Sequence, residues 1–416
     1  MRKLLVLAAL LGVICFAVPA FATNGDNIIG VGAISRSMGG VGAAAPQDAI
    51  SAVFGNPAAM CYIPCESSEV DFAATLFVPK ISGRINAGAG DDSANSQGLP
   101  YAFPAIGIYT PITPDLRFGL AAYGVSGLGV DYKDTNLKGA FGFPAPGRPR
   151  ADIKTDLQIM KFSPNLAYKV LPNLSVGAAL QVNWAQLDLG EGSAHTFSFG
   201  TQVGVIYKPI DPLSLGVTYQ TAQLNRFRRV YNFDAGLPSD TNGNFDNLKL
   251  EQPQQVVLGV AYDVIPNKLL LEVNEKWINW SGADGYKDFD WRDQYVTAVG
   301  IQGRPLDWLA LRAGYNYGKN PVKVHNDFNP GGLTSIQGTN TPTAQYEAFR
   351  IIGFPAIVEH HLTAGVGVNL TKKVSVNLGY MHAFENSIKE SSLGNAITYE
   401  SKLHEDSYEL GLNFIF

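Results

Sequence analysis

Cysteine and methionine are scarce in this chain, at 3 and 5 of 416 residues, and charged side chains make up only 16%. A soluble enzyme of this length usually carries more charge and clear amphipathic helices. Long apolar runs are also missing. After residue 22 no stretch reaches the about 18 residues that a membrane-crossing helix needs. The chain has no G-x-S-x-G, no H-E-x-x-H and no glycine-rich phosphate loop. Its formal net charge of −5 gives no support for nucleic-acid binding. What is plentiful is glycine, at 44 residues, with 18 tyrosines and 22 phenylalanines. Mean hydropathy is +0.02. That balance suits strands facing lipid on one side and a watery or crowded interior on the other. Without an apolar helix, a membrane-embedded chain has to be a closed barrel.

The first 22 residues read as an export signal. Arg2 and Lys3 precede an apolar run over residues 4–18, Pro19 breaks it, and Ala20-Phe21-Ala22 is a small-x-small cleavage site. Cys15 falls inside this segment, and the residues just before it do not form a lipidation site. Export leaves Cys61 and Cys65 in an oxidising compartment, where a small disulfide loop is favoured over two thiols. Their spacing is not C-x-x-C and no second ligand pair follows, so neither a redox nor a zinc site is expected.

Period-2 alternation recurs along the rest of the chain. At the C-terminus Tyr408, Leu410, Leu412, Phe414 and Phe416 share one face, while Glu409, Gly411 and Asn413 share the other. Residues 174–184, 309–317, 362–370 and 374–380 alternate in the same way. The second face is Gly, Ala, Ser, Asn and Gln rather than charge, which suits a barrel interior better than open solvent. Trp184, Tyr219, Tyr262, Trp277, Trp280, Tyr315 and Tyr380 lie near strand ends, as interfacial aromatics do. Tight connections fall near 113–115, 171–173, 211–212, 265–267, 306–307 and 371–372. Longer ones fall near 84–100, 131–151, 232–247 and 321–357, with shorter ones near 190–196, 281–288 and 389–397. Six tight turns between hairpins predict an all-β, antiparallel transmembrane barrel of about 14 strands.

Residues 23–65 break the pattern. They are rich in small residues, have no lipid-facing stripe, and contain a short predicted helix near 46–54 with Asp48 in its first turn, where negative charge is favoured. A segment that cannot span can fold into the lumen as a plug, where small residues allow close packing. The expected organisation is a signal peptide (1–22), an N-terminal hatch (23–65) and a barrel (66–416).

Gly30-x-Gly, Arg36-Ser-Met-Gly-Gly40, Asp48-Ala and Asn56-Pro57-Ala58, in that order, resemble the N-terminal hatch of the FadL family of outer-membrane importers of long-chain fatty acids and related hydrophobic compounds. Residues 161–169 followed by 174–178 look like that family's fourth and fifth strands. Gly353-Phe-Pro355, His361-Leu-Thr-Ala-Gly365 and the terminal Phe416 also fit. The resemblance covers essentially the whole chain after residue 22. It implies a lumen-filling hatch, capture of ligand by external loops, and sideways exit through a kink in the third strand. Here that strand is expected at about 116–130, with Gly124, Ser126, Gly127 and Gly129 as kink residues.

A fatty acid needs an apolar slot and a cation for its carboxylate. Phe141 and Phe143 with Arg148 or Arg150 are candidates in the second long loop, in a stretch that resembles the family segment carrying such an arginine. Arg226, Arg228 and Arg229 form another basic cluster, open to lipopolysaccharide phosphates at the barrel rim. Asp240, Asn242, Asn244 and Glu251 have the oxygen-ligand spacing of a calcium loop, but Phe245 stands where glycine is needed, and such loops are commonly plain turns. His360 and His361 are neighbours on a strand and point to opposite faces. No metal, cofactor or catalytic residue is expected. The leading reading is a monomeric importer of long-chain fatty acids in contact with outer-membrane lipid. An importer of toluene-type hydrocarbons or a general aqueous porin are the alternatives.

Overall fold

Fourteen antiparallel strands close on themselves in the computed structural model, which describes residues 23–416 apart from 64–66, 88–89, 99, 138–152, 235–236 and 238–244. In chain order they are β1 (Glu69–Ala87), β2 (Tyr101–Pro111), β3 (Leu116–Asp131), β4 (Lys154–Leu171), β5 (Leu174–Asp188), β6 (Ser193–Ile210) and β7 (Leu213–Gln220). There follow β8 (Gln255–Ile265), β9 (Leu269–Ile278), β10 (Gln294–Leu306), β11 (Leu309–Gly318), β12 (His360–Asn369), β13 (Val374–Ser392) and β14 (Ile397–Ile415). Each pairs with its neighbour, and β14 returns to β1 from Ile397↔Ala87 to Ile415↔Glu69. Closure removes both sheet edges, so the backbone groups along each ladder are paired without water.

The two faces follow the sequence pattern. In β8, Leu258, Val260 and Tyr262 are half exposed, while Ala261 is buried. In β14, Leu410 points out, and Ser407, Glu409 and Asn413 point in and are buried. The exposed apolar face is the lipid face. β14 has 19 residues, roughly 65 Å at about 3.4 Å each. That exceeds the about 30 Å of bilayer hydrocarbon even when tilted, so the strand projects beyond the membrane on the side of the long loops.

At the other end the connections are short. Each joins β2–β3, β4–β5, β6–β7, β8–β9, β10–β11 or β12–β13, at the Pro-, Asn- and Asp-containing turns read from the sequence. The long connections hold structure that sequence did not suggest. Between β7 and β8, residues 223–252 form a separate hairpin, Gln223–Tyr231 with Asp246–Gln252, so the expected 232–247 loop is only its tip. Trp280, expected near an interface, is instead fully buried in the loop after β9, 4.5 Å from Tyr286 and 5.1 Å from Trp291 between ring centroids.

Residues 23–63 run inside this wall. A helix α1 (Ala33–Ser37) contacts β11, β12, β13 and β14, and a helix α2 (Ala49–Gly55) contacts β1, β2 and β3. The 3₁₀ turn Pro57–Cys61 contacts β3, β4, β5 and β6. Contact on so many strands is possible because inward wall positions are glycine. A Cβ at Gly216 would sit 1.9 Å from the Ala43 carbonyl, and one at Gly314 would sit 2.2 Å from Gly39 N. The abundance of glycine therefore reflects a backbone-to-backbone approach between wall and filling. α2 begins later than the sequence suggests. Asp48 is its N-cap and not a first-turn residue, with its carboxylate accepting from Ser51 N at 2.8 Å.

Candidate transport pathway

The N-terminal segment is tied to the wall by polar contacts at separate points. Arg36 is fully buried and pairs with Glu409 of β14, itself buried. It also donates to Ser407 Oγ at 2.7 Å and to the Gly30 carbonyl at 3.1 Å. Glu272 of β9 accepts from Gly42 N at 3.1 Å and Ala44 N at 2.9 Å. Asn56 caps the 3₁₀ turn by accepting from Ala58 N at 3.0 Å, and its amide donates to the carbonyls of Ala43 at 2.7 Å and Val205 at 3.1 Å. Pro57 opens the turn, and Gly177 of β5 leaves room for it, since a Cβ there would sit 2.4 Å from Ala58 N. Asn56→Ala removes three hydrogen bonds at a fully buried site, a loss of about 2 kcal/mol. Hydrogen exchange of the amides in 58–61 should rise by more than about tenfold, with exchange in β14 unchanged.

Asp26 is fully buried and accepts from the Tyr286 hydroxyl of an external loop. Burial pushes its carboxyl up to about 6. A raised carboxyl stabilises the docked segment below about pH 4 and loses that contribution as pH rises through about 6. Asp48 is raised in the same direction by burial.

Above the N-terminal segment lies a narrow cavity of about 60 Å³. Ile28, Val41, Phe54, Val125 and Val257 give it apolar walls, and Gln202, Gln220 and Asn274 give it polar ones. Two cations enter it, Lys161 of β4 and Lys276 of β9. Lys161 Nζ donates to Gln181 and Gln220 at 3.3 Å. Among the described residues, neither lysine has a carboxylate within ion-pair distance. Sequence reading passed over both. The signal was there, since each is a cation on the inward phase of an alternating strand.

The wall changes beside this cavity. The β2–β3 ladder runs from Pro111↔Arg117 to Ala105↔Tyr123 and stops, although both strands continue, to Tyr101 and Asp131. Just beyond, β3 carries a bulge against β4. Gly124 faces Met160, Ser126 faces Ile159, and Val125 is the extra residue. Asn27 of the N-terminal segment bridges to Ser126, and Asn27, Ile28 and Val125 all line the cavity. Of the glycines singled out in β3, a Cβ at Gly124 would sit 3.3 Å from the Phe103 ring, and one at Gly129 would meet the Thr155 carbonyl at 2.4 Å. Gly127 has room for a side chain. The glycines therefore serve close packing at two positions, and the irregularity is at Val125.

Phe141, Phe143, Arg148 and Arg150 lie outside the described residues, as do Asp240, Asn242, Asn244 and Cys65. Glu251, the last residue of the calcium-like spacing, accepts from Asp284 N at 3.2 Å. Cys61 is buried, with Sγ 3.9 Å from the Asp115 carbonyl. His361 is buried, with its ring nitrogens 3.0 Å from the Asn316 and Thr23 carbonyls, whereas His360 is exposed. His325, Glu347 and Glu390 converge at the mouth, but a fully buried arginine occupies their centre. Arg350 Nη1 is 2.7 Å from Glu390 and 3.0 Å from His325, and Arg350 also donates to the Phe289 carbonyl at 2.8 Å. This pins the loop segment 343–353 over the barrel end.

A barrel with tight turns at one end, long loops at the other, a lipid-facing apolar band and a lumen occupied by its own N-terminus is the architecture of an outer-membrane transport protein. The chain belongs to the family described as outer membrane protein transport protein (OMPP1/FadL/TodX), which matches residues 15–196 and 189–328. Outer membrane protein P1 of Haemophilus influenzae is 21% identical over 412 residues, covering 82% of each chain. An uncharacterized protein of Chlorobium limicola is 43% identical over 81 residues, which are 20% of this chain and 39% of that relative. The toluene transporter TodX of Pseudomonas putida superposes with a TM-score of 0.66 at 17% identity, covering 93% of this chain and 99% of that one. A FadL homologue of Pseudomonas aeruginosa gives 0.68 at 15% identity, with 95% and 99% covered. At such identities these likenesses establish the fold.

Proposed function

We propose that the protein imports hydrophobic carboxylates of the long-chain fatty acid class. External loops capture the molecule, the cavity above the N-terminal hatch receives it, and it leaves sideways through the opening between β2 and the upper half of β3. Residues 23–65 act as the hatch, behind a signal peptide of residues 1–22. The observation that carries the cargo assignment is the pair Lys161 and Lys276, two inward cations without a carboxylate partner among the described residues, on a cavity with apolar walls. A toluene-type hydrocarbon has no use for them, and a porin would need a wider lumen.

Lys161→Met with Lys276→Met keeps the side-chain length and removes both charges. Fatty acid uptake is expected to fall about tenfold to a hundredfold, as for loss of a charge-assisted contact, with toluene uptake unchanged. Equal fatty acid uptake by variant and parent would discard the carboxylate reading and favour the hydrocarbon one. In the parent, steady large conductance in planar bilayers would favour the porin.

A further inference from the structure

We infer that the outer rim beside β6 is a binding site for the phosphate groups of outer-leaflet lipopolysaccharide. The ladder between β6 and β7 ends at Gln202↔Gln220. Beyond it the chain continues upward beside β6 as residues 223–231, which form a sheet of their own and no ladder with β6. Side chains fix which way this arm faces. Ser198 Oγ donates to Asn225 at 2.8 Å and Asn183 reaches Gln223, all four buried. Gln223, Asn225 and the fully buried Phe227 therefore point inward, and Arg226 and Arg228 point out. Strict alternation would turn Arg229 inward. Instead the register breaks between Phe227 and Tyr231, and Arg229 takes a left-handed φ of 56° and stays exposed. A non-glycine residue in that region is disfavoured, which makes it a marker of selected geometry. Here the bulge puts a third arginine on the outer face.

The three arginines share a surface hollow with Ser193, His195 and Thr196 of β6. Glu191 at its edge is the acid lining it, and among the described residues none of the three arginines has a carboxylate within ion-pair distance. Lys249, opposite Arg226 on the hairpin, adds a fourth exposed cation. His195 is in phase with Phe197 and Phe199, which are 60% and 66% exposed and face lipid. The cations thus begin within a few residues of the lipid-facing aromatics, on the loop side of the barrel. Guanidinium forks match phosphate oxygens in pairs. At this height on an outer-membrane barrel the available phosphate is carried by a lipid headgroup. This site goes beyond the cargo reading and does not depend on it.

The test titrates the full-length protein in detergent with diphosphoryl lipid A, dephosphorylated lipid A and inorganic phosphate. Arg226→Gln, Arg228→Gln and Arg229→Gln combined is expected to weaken binding of the diphosphoryl form by at least about tenfold and to leave the dephosphorylated form unaffected. The matching triple lysine variant is expected to lie between. Undiminished lipid A binding by the triple glutamine variant would overturn the site. Complete displacement of lipid A by inorganic phosphate would overturn the lipid as its occupant. If the triple variant fails to fold, judged by its migration in unheated gels, Arg229→Gln alone is read in the same titration. It is expected to lose part of the affinity, and no loss would count against the site.

Discussion

Replacing Arg36 by alanine is expected to turn a closed barrel into a conducting one. The arginine pairs with Glu409 of β14, on which α1 packs, and both side chains are withdrawn from water. Removing one member of such a pair leaves the other charge buried and uncompensated, a cost of about 3 to 5 kcal/mol. That shifts the balance between docked and undocked N-terminal segment by at least about a hundredfold. Since α1 is five residues long, it has almost no helical stability of its own and depends on this anchor. Single-channel recordings should show steady open events in Arg36→Ala and rare ones in the parent. Glu409→Gln tests the same pair from the wall side, and Arg36→Met combined with Glu409→Met should restore the closed behaviour in part, because no lone charge remains. Unaltered conductance in Arg36→Ala would mean that the N-terminal segment is held elsewhere, with Glu272 and Asn56 the next anchors.

Deleting Val125 is expected to stop sideways exit while leaving the barrel folded. Val125 is the residue that β4 does not match, so its removal keeps Ser126 and the residues after it opposite the same β4 partners and makes β3 regular. A regular β3 can continue its ladder with β2 past Tyr123, toward Tyr101, and close the wall. Uptake of a hydrophobic substrate should fall by at least about tenfold, with loop capture, measured as binding to whole cells, retained. A substitution such as Val125→Ala keeps the extra residue and should have little effect, which separates the bulge from its side chain.

The barrel was legible because its signals are local. Pro172, Pro212 and Pro266 mark turns, and the alternation in 408–416 fixes a two-faced strand without reference to anything else. The helix expected near 46–54 lies at Ala49–Gly55, with Asp48 as its cap and not in its first turn. α1 was not legible, because its sequence is short and glycine-flanked and its stability comes from Glu409, far along the chain. The bulge in β3 was only half legible. The glycines drew attention to the right strand, but a bulge is a mismatch between two strands, and Val125 alone carries no sign of it. Lys161 and Lys276 meet in one cavity only after closure brings β4 and β9 to face a common space. The hairpin in 223–252 was hidden by the loop-like composition of its tip.

In the proposed route the molecule leaves sideways between β2 and β3, where Asn27 of the N-terminal segment bridges to Ser126. Asn27→Cys with Ser126→Cys, in a chain with Cys61 and Cys65 replaced by serine, places a thiol on each side of that contact. Oxidation should stop uptake of the hydrophobic substrate, and reduction should restore it to the rate of the cysteine-free parent. Uptake at the full rate with the tether shown to be closed would contradict the path between β2 and β3.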